Sequence, residues 1–327
     1  MANKKQRRIA RSWLLLALFT LVSVVVNACG DSTATTLPAT TAAATTAPVT
    51  TAVTTAAATT TVALATTPAS TSPAATANGE LVVFAAASLT DPFNEIKADL
   101  EKANPNLKLI YNFGGSNTLR AQLEQGAKAD VFASANQTEM DNVLKGNLVA
   151  DKGATFVRNR LVVILPKNNP GKVQNLPDLA KAGLKFVTAQ KDVPVGGYTL
   201  QALDKMSKDP AFGNDFAGKV QANFVSQESN VKQVVSKVQL GEADAGIVYS
   251  SDVSAKISPD LLTLEIPDQF NTLATYPIAA LKDASNAAAA KVFIAYVLGE
   301  KGQAILKKNN FIPTTGSIGL TITEDHN

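Results

Sequence analysis

Leu81-Val82-Val83-Phe84-Ala85-Ala86-Ala87-Ser88-Leu89-Thr90-Asp91-Pro92 is the stretch on which the fold turns. Its apolar run, continuous rather than alternating, predicts a strand buried on both faces, as in a parallel sheet covered by helices. The run ends in Ser-Leu-Thr-Asp-Pro, where Thr90 or Asp91 can cap a helix and Pro92 suits its first turn. Phe93, Ile96 and Leu100 then recur at helical spacing. The unit is strand, turn, helix, and it repeats. Residues 107–113 read as a second strand, Gly114-Gly115 as a turn, and 116–125 as a helix stopped by Gly126. Further strands are expected at 130–134, 160–166, 184–189, 246–249 and 276–281. A long helix is expected from about Asn230, and another from Ser285 to Lys308 with Val292, Phe293, Tyr296 and Val297 on one face. Strands alternating with helices predict an α/β protein with mostly parallel sheets, and about 235 residues of such material suffice for two lobes.

Composition narrows the chemistry. The 327 residues include 30 Lys and Arg, 27 Asp and Glu, one His and one Cys, for a formal net charge of +3. Lys4, Lys5, Arg7, Arg8 and Arg11 supply that excess: from Glu80 onward there are 25 basic and 26 acidic residues, a net of −1. A nucleic-acid partner therefore has no basic footprint to rest on. The only histidine is His326, next to last, and the only cysteine is Cys29. No Ser-His or Cys-His nucleophile pair is expected, nor a zinc site built of Cys and His, nor an intrachain disulfide. Carboxylate, hydroxyl and backbone chemistry are what remain.

The basic stretch 4–11 leads into an apolar run from Trp13 to Val26, the pattern of an export signal. A retained membrane helix is the competing reading, since a span needs roughly 18–20 apolar residues. Val26-Asn27-Ala28-Cys29-Gly30 resembles a bacterial lipobox, although Asn27 is unusual at its position. That resemblance implies a lipoprotein signal peptide at 1–28, a lipid anchor at Cys29, and a body held on the outer, extracytoplasmic face of the cell membrane. From Asp31 to Asn78, 18 Thr and 16 Ala make up most of 48 residues, with no charge after Asp31. Such a segment cannot bury enough apolar surface to offset its ordering entropy, so 29–78 is expected to be a disordered tether with the lipidated Cys29 at its start.

Four strand-to-helix junctions are furnished alike. Ser88 follows the first strand. Gly114-Gly115-Ser116-Asn117-Thr118 places two glycines before a hydroxyl. Val193-Pro194-Val195-Gly196-Gly197-Tyr198 again sets glycines at a strand-to-helix turn, and Gln227-Glu228-Ser229-Asn230-Val231 opens a helix with capping residues. Ligands of open α/β sheets sit beyond the carboxyl ends of strands, where helix N-termini offer free N–H groups and about half a positive charge. The plain alternative is that Ser88 and Ser116 are N-caps and the glycines ordinary turn residues. Taken together, the four junctions point to a small anion or polar ligand.

Val83-Phe84-Ala85-Ala86-Ala87-Ser88-Leu89-Thr90, Phe113-Gly114-Gly115-Ser116-Asn117-Thr118-Leu119 and Ala129-Asp130-Val131-Phe132-Ala133-Ser134-Ala135 resemble motifs of the molybdate-binding proteins of bacterial ABC importers. So do Asp192-Val193-Pro194-Val195-Gly196 and Gly241-Glu242-Ala243-Asp244-Ala245-Gly246-Ile247-Val248-Tyr249. The resemblance runs in order from about residue 80 to 315. It implies the two-lobed type II periplasmic-binding-protein fold, with lobe one at 79–165 and 272–316, lobe two at 166–271, hinge strands near Val163 and Ile278, and a C-terminal tail at 317–327. It further implies a tetrahedral oxyanion, molybdate or tungstate, held between the lobes by Ser88 and Ser116 through hydroxyl and N–H, by the N–H groups of Val195 and Val231, and by the hydroxyl of Tyr249. Metal would enter only as that oxyanion, with no cofactor. The implied partners are an ABC permease and its ATPase, served by a monomer. Gly114-Gly115 replaces a more Ser-rich loop, and Asn117 stands where a small hydroxyl residue is common, which bears on the choice of oxyanion.

Other classes are weaker. A hydrolase would need a base near Ser88 or Ser116 and has no Gly-x-Ser-x-Gly there, so no enzyme is expected. Glu242 and Asp244, between glycines, suit solvent better than acid–base work. The same fold could take sulfate, phosphate or iron, although no two tyrosines are adjacent as an iron carrier would favour. A stalked surface sensor or adhesin would also suit the tether.

Overall fold

The computed structural model describes residues 77–314. The signal peptide expected at 1–28, the lipidation at Cys29, nearly all of the tether and the tail at 317–327 lie outside the described residues.

The chain begins with β1 (Gly79–Ala86), a short 3₁₀ turn (Ala87–Leu89), α1 (Thr90–Ala103), β2 (Leu107–Gly114), α2 (Ser116–Glu124), β3 (Val131–Ala133), α3 (Gln137–Lys145) and β4 (Ala154–Asn159). It continues through β5 (Leu161–Pro166), β6 (Phe186–Ala189), α4 (Pro194–Ser207), α5 (Phe216–Ala222), β7 (Phe224–Glu228), α6 (Val231–Gln239), β8 (Ala245–Tyr249) and β9 (Leu261–Glu265). It closes with β10 (Ala274–Ala280), α7 (Ala287–Leu298), α8 (Glu300–Lys308) and β11 (Ile312–Pro313). Two sheets result, one in the order β11-β4-β10-β3-β1-β2 and one in the order β7-β6-β8-β5-β9. The two-lobed α/β class is as expected. No helix among the described residues is long and apolar enough to cross a membrane.

The sheets are mixed rather than mostly parallel. Strands β2-β1-β3 in one sheet and β7-β6-β8 in the other run parallel. The strands beyond them, β10, β4 and β11 in the first and β5 and β9 in the second, pair antiparallel. The cause is chain crossing. β5 enters the second sheet directly from β4, and β10 returns to the first sheet from β9, so each is laid against strands that a crossover helix does not reverse.

The reading of β1 as doubly buried holds in detail. Val83 and Ala85 join the large core while Phe84 packs on the other face with Leu119, Phe132, Met140 and Val143. Alternate residues thus feed two apolar layers, which is why the sequence shows no alternation.

Three expectations need correction. The expected hinge strands do not cross: Val163 lies inside the second sheet and Ile278 inside the first. The chain crosses at Arg160, the single residue between β4 and β5, and again through residues 266–273. The helix opening after Asn230 is short, because Gly241, at φ +74°, ends it; Glu242 N–H reaches Lys237 O and Gly241 N–H reaches Val238 O. The helix expected over 285–308 is two helices broken at Gly299, whose extended backbone ends one and starts the next. Gly302 lets them meet, since a Cβ there would lie 2.2 Å from the Tyr296 carbonyl oxygen.

Candidate functional site

The parallel strands of both sheets point their carboxyl ends at one cleft. Ser88 follows β1, Ser116 follows β2 and Ala135 follows β3; Val195 follows β6, Val231 follows β7, and Tyr249 ends β8. Register reinforces this, because Ala86 pairs with Gly114 and Ala189 with Glu228, so adjacent strands end level. The cleft encloses about 210 Å³, part of it open to solvent, and all five residues expected to bind, Ser88, Ser116, Val195, Val231 and Tyr249, line it. Cys29, the sixth expected residue, lies outside the described residues.

Neither serine is an ordinary cap. Gly115 is the residue before α2, and Ser116 is its first residue; its hydroxyl accepts the Ala135 N–H at 3.0 Å. Ser88 sits in the 3₁₀ turn, with its hydroxyl 2.9 Å from that of Tyr276. The expected capping by Thr90 or Asp91 is also absent: the Thr90 hydroxyl donates to the Ala87 carbonyl at 2.7 Å, and α1 has no side-chain cap. Asn230 does cap α6, accepting the Gln233 N–H at 3.2 Å.

Val195 and Val231 stand in the first turns of α4 and α6, where N–H groups have no carbonyl within the helix. The glycines after Val195 lie inside α4 rather than in the turn before it. Gly196 is required there, for a Cβ would sit 2.1 Å from the Gln190 carbonyl oxygen and 2.5 Å from that of Ala189. Its absence lets the helix start close against the end of β6.

Among the described residues no charged side chain lines the cleft; its polar lining is hydroxyl, amide and backbone N–H. The Tyr249 hydroxyl is buried and has no hydrogen-bond partner among the described residues. Burial pushes its pKa well above the ordinary phenol value, as it does that of Tyr276. Just behind the cleft, Lys232 of α6 lies 3.0 Å from Asp91 of α1 and 3.4 Å from the fully buried Asp252. Burial alone would lower the Lys232 pKa, but the two carboxylates outweigh it and raise it. Burial raises the Asp252 pKa against the pull of Lys232 and of the Tyr249 N–H. The Asp91 contact joins the lobes, and so does Gly115, where a Cβ would lie 2.5 Å from the Ser229 carbonyl oxygen. Among the described residues no group of three or more His, Cys, Asp or Glu side chains could hold a metal ion.

Sequence reasoning missed the residues behind the lining. Tyr276, Asn159 and Ser251, all buried, form with the half-buried Ser250 a polar group that meets Ser88, yet none of them belongs to a quoted motif. Ala135 could have been found, since it ends the quoted third-strand motif.

Comparison with known proteins agrees with this architecture. The profile of the bacterial extracellular solute-binding protein family matches residues 81–312. The molybdate-binding protein ModA of Mycobacterium tuberculosis is 37% identical over 231 residues, which cover 71% of this chain and 84% of that protein. YvgL of Bacillus subtilis, ascribed to ABC transporters as a substrate-binding lipoprotein, is 30% identical over 71% of this chain and 85% of its own. A solved substrate-binding domain from Clostridium difficile, ascribed to a molybdenum ABC transporter, is 30% identical with a TM-score of 0.54, covering 72% of this chain and 98% of that one. The chain belongs to the bacterial extracellular solute-binding protein family, in the branch that holds the ModA molybdate-binding proteins.

Proposed function

We propose that this chain captures molybdate, and tungstate with it, between its two lobes and delivers the anion to the permease and ATPase of an ABC importer. The observation that carries the reading is a cleft between two sheets, furnished with helix N-termini and hydroxyls and lined, among the described residues, by no charged side chain. A dianion there gains charge-assisted hydrogen bonds from fixed donors. A formal counter-ion would add a desolvation cost of its own and slow release. Ser88 and Ser116 would bind through hydroxyl and N–H, Val195 and Val231 through N–H, and Tyr249 through its hydroxyl. The names of the relatives in the ModA branch support molybdate over sulfate or phosphate. The protein acts as a monomeric binding protein rather than an enzyme, needs no cofactor, and is held outside the cytoplasm by lipid on Cys29, a reading that the lipoprotein relative supports.

Titration calorimetry of the full chain in detergent micelles, with molybdate, tungstate, sulfate and phosphate in turn, tests this. Tight one-to-one binding of the first two is expected, with the others far weaker. Absence of heat with both molybdate and tungstate sinks the proposal.

A further inference from the structure

Behind Ser88 lies a hydrogen-bonded chain whose direction can be worked out, and we infer that Tyr276 is the positioning residue that makes the Ser88 hydroxyl a donor into the cleft. The inference rests on the proposed oxyanion function and adds to it a residue that does not line the cleft.

The argument starts at Asn159, the last residue of β4. Its side-chain oxygen accepts the Arg160 N–H at 3.0 Å, and the Ser250 hydroxyl lies 2.9 Å from the same atom. A backbone N–H can only donate, so the carboxamide cannot be turned around. Its nitrogen therefore faces Ser251 Oγ at 2.8 Å and, at a longer 3.4 Å, Tyr276 Oη. An amide nitrogen only donates, which makes Tyr276 Oη an acceptor on that side. The Tyr276 proton is then assigned to Ser88 Oγ, at 2.9 Å, because the neighbouring Tyr249 hydroxyl has no partner in hydrogen-bond geometry among the described residues. With one lone pair of Ser88 Oγ filled from behind, the Ser88 proton is turned toward the cleft.

Ser116 obtains the same polarity by a shorter route, since its hydroxyl accepts the Ala135 N–H. Both serines are thus held as donors by a donor at their backs, one a backbone amide, the other a tyrosine steered from the crossover at Arg160. Tyr276, Asn159 and Ser251 are buried, so water does not compete for these bonds. An anion that carries its own proton, such as hydrogen phosphate, meets no acceptor at Ser88.

The test is a double-mutant cycle on the full chain in detergent micelles, read by calorimetry with molybdate and with inorganic phosphate. Tyr276→Phe keeps the ring and removes only the relay hydroxyl. It is expected to weaken molybdate about tenfold, the scale of a hydrogen bond to a charged group, and to narrow the preference over phosphate. In a Ser88→Ala background the same change is expected to do nothing further, because the relay acts only through Ser88. Equal losses in both backgrounds, or no loss in the wild-type background, overturn the inference. If Tyr276→Phe does not fold, Asn159→Ala, which cuts the chain one residue further back, is read against the same two outcomes. A wild-type chain that takes up no molybdate overturns the proposed function and the relay together; a wild type that binds while Tyr276→Phe binds equally well overturns the relay alone.

Discussion

A phenol at the end of a buried strand can pack or donate, and Tyr249 is placed to do both. Its ring meets Tyr276 edge-on, with centroids 5.8 Å apart, and Tyr198 at 6.5 Å. Its hydroxyl is buried without a partner among the described residues, an arrangement that costs free energy in the protein alone. Tyr249→Phe is therefore expected to weaken molybdate by roughly ten- to hundredfold without lowering the melting temperature of the unliganded chain. Alkaline behaviour gives a second reading. Burial holds the folded pKa above the unfolded phenol value, so the stabilising contribution is complete below about pH 10 and is lost as pH rises through the raised folded value. Melting curves from about pH 8 to about pH 11 are expected to fall less steeply in Tyr249→Phe than in wild type; identical slopes would contradict the assignment. At this scale the sequence was informative where a residue belongs to a local pattern. Ser88 and Ser116 stand at strand-to-helix junctions and could be found. Tyr276 could not, because its partner Ser88 is 188 positions away, and nothing near residue 276 records that contact.

Among the elements, those that fill a core from both faces were legible and those at sheet margins were not. β1 and β5 are apolar runs and read correctly; β2 is the exception, a margin strand of alternating burial that was still found. β7 alternates half-buried with exposed positions and β9 is largely exposed, so a search for continuous apolar runs passes over them. The break at Gly299 was missed for the opposite reason: the apolar face continues across it, with Phe293, Val297 and Leu306 all buried. What stops the helix is the extended backbone at Gly299, after which α8 starts against the end of α7, possible because Gly302 brings no side chain to the Tyr296 carbonyl. Gly302→Ala is expected to destabilise by about 2 kcal/mol, or roughly 4–8 °C in melting temperature for a body of this size. A calorimetric scan that finds no shift would mean the two helices part without cost.

For the whole molecule, the two lobes already touch at points that a small change could wedge apart. Gly115 of the first lobe lies against the Ser229 carbonyl of the second, and Lys232 reaches across to Asp91. Gly115→Ala is expected to weaken molybdate roughly ten- to hundredfold by overpacking the closed form. The melting temperature of the unliganded chain should be unchanged, since an opened form does not make the contact. Equal destabilisation with and without ligand would refute this. The two-lobed plan was legible from motifs spread along the chain, whereas the crossing points were not: β4 went unread beside the strand expected at 160–166, and only pairing reveals that β4 and β5 serve different sheets. That crossing has a mechanical consequence. One residue spans about 3.5 Å, so at Arg160 the chain has no slack, and the second crossover is pinned beside it by Asn271, whose side chain bonds both the N–H and the carbonyl of Leu161. The lobes can neither slide nor draw apart there. They can only pivot, so any widening of the cleft turns on torsion at this joint and not on the length of any loop.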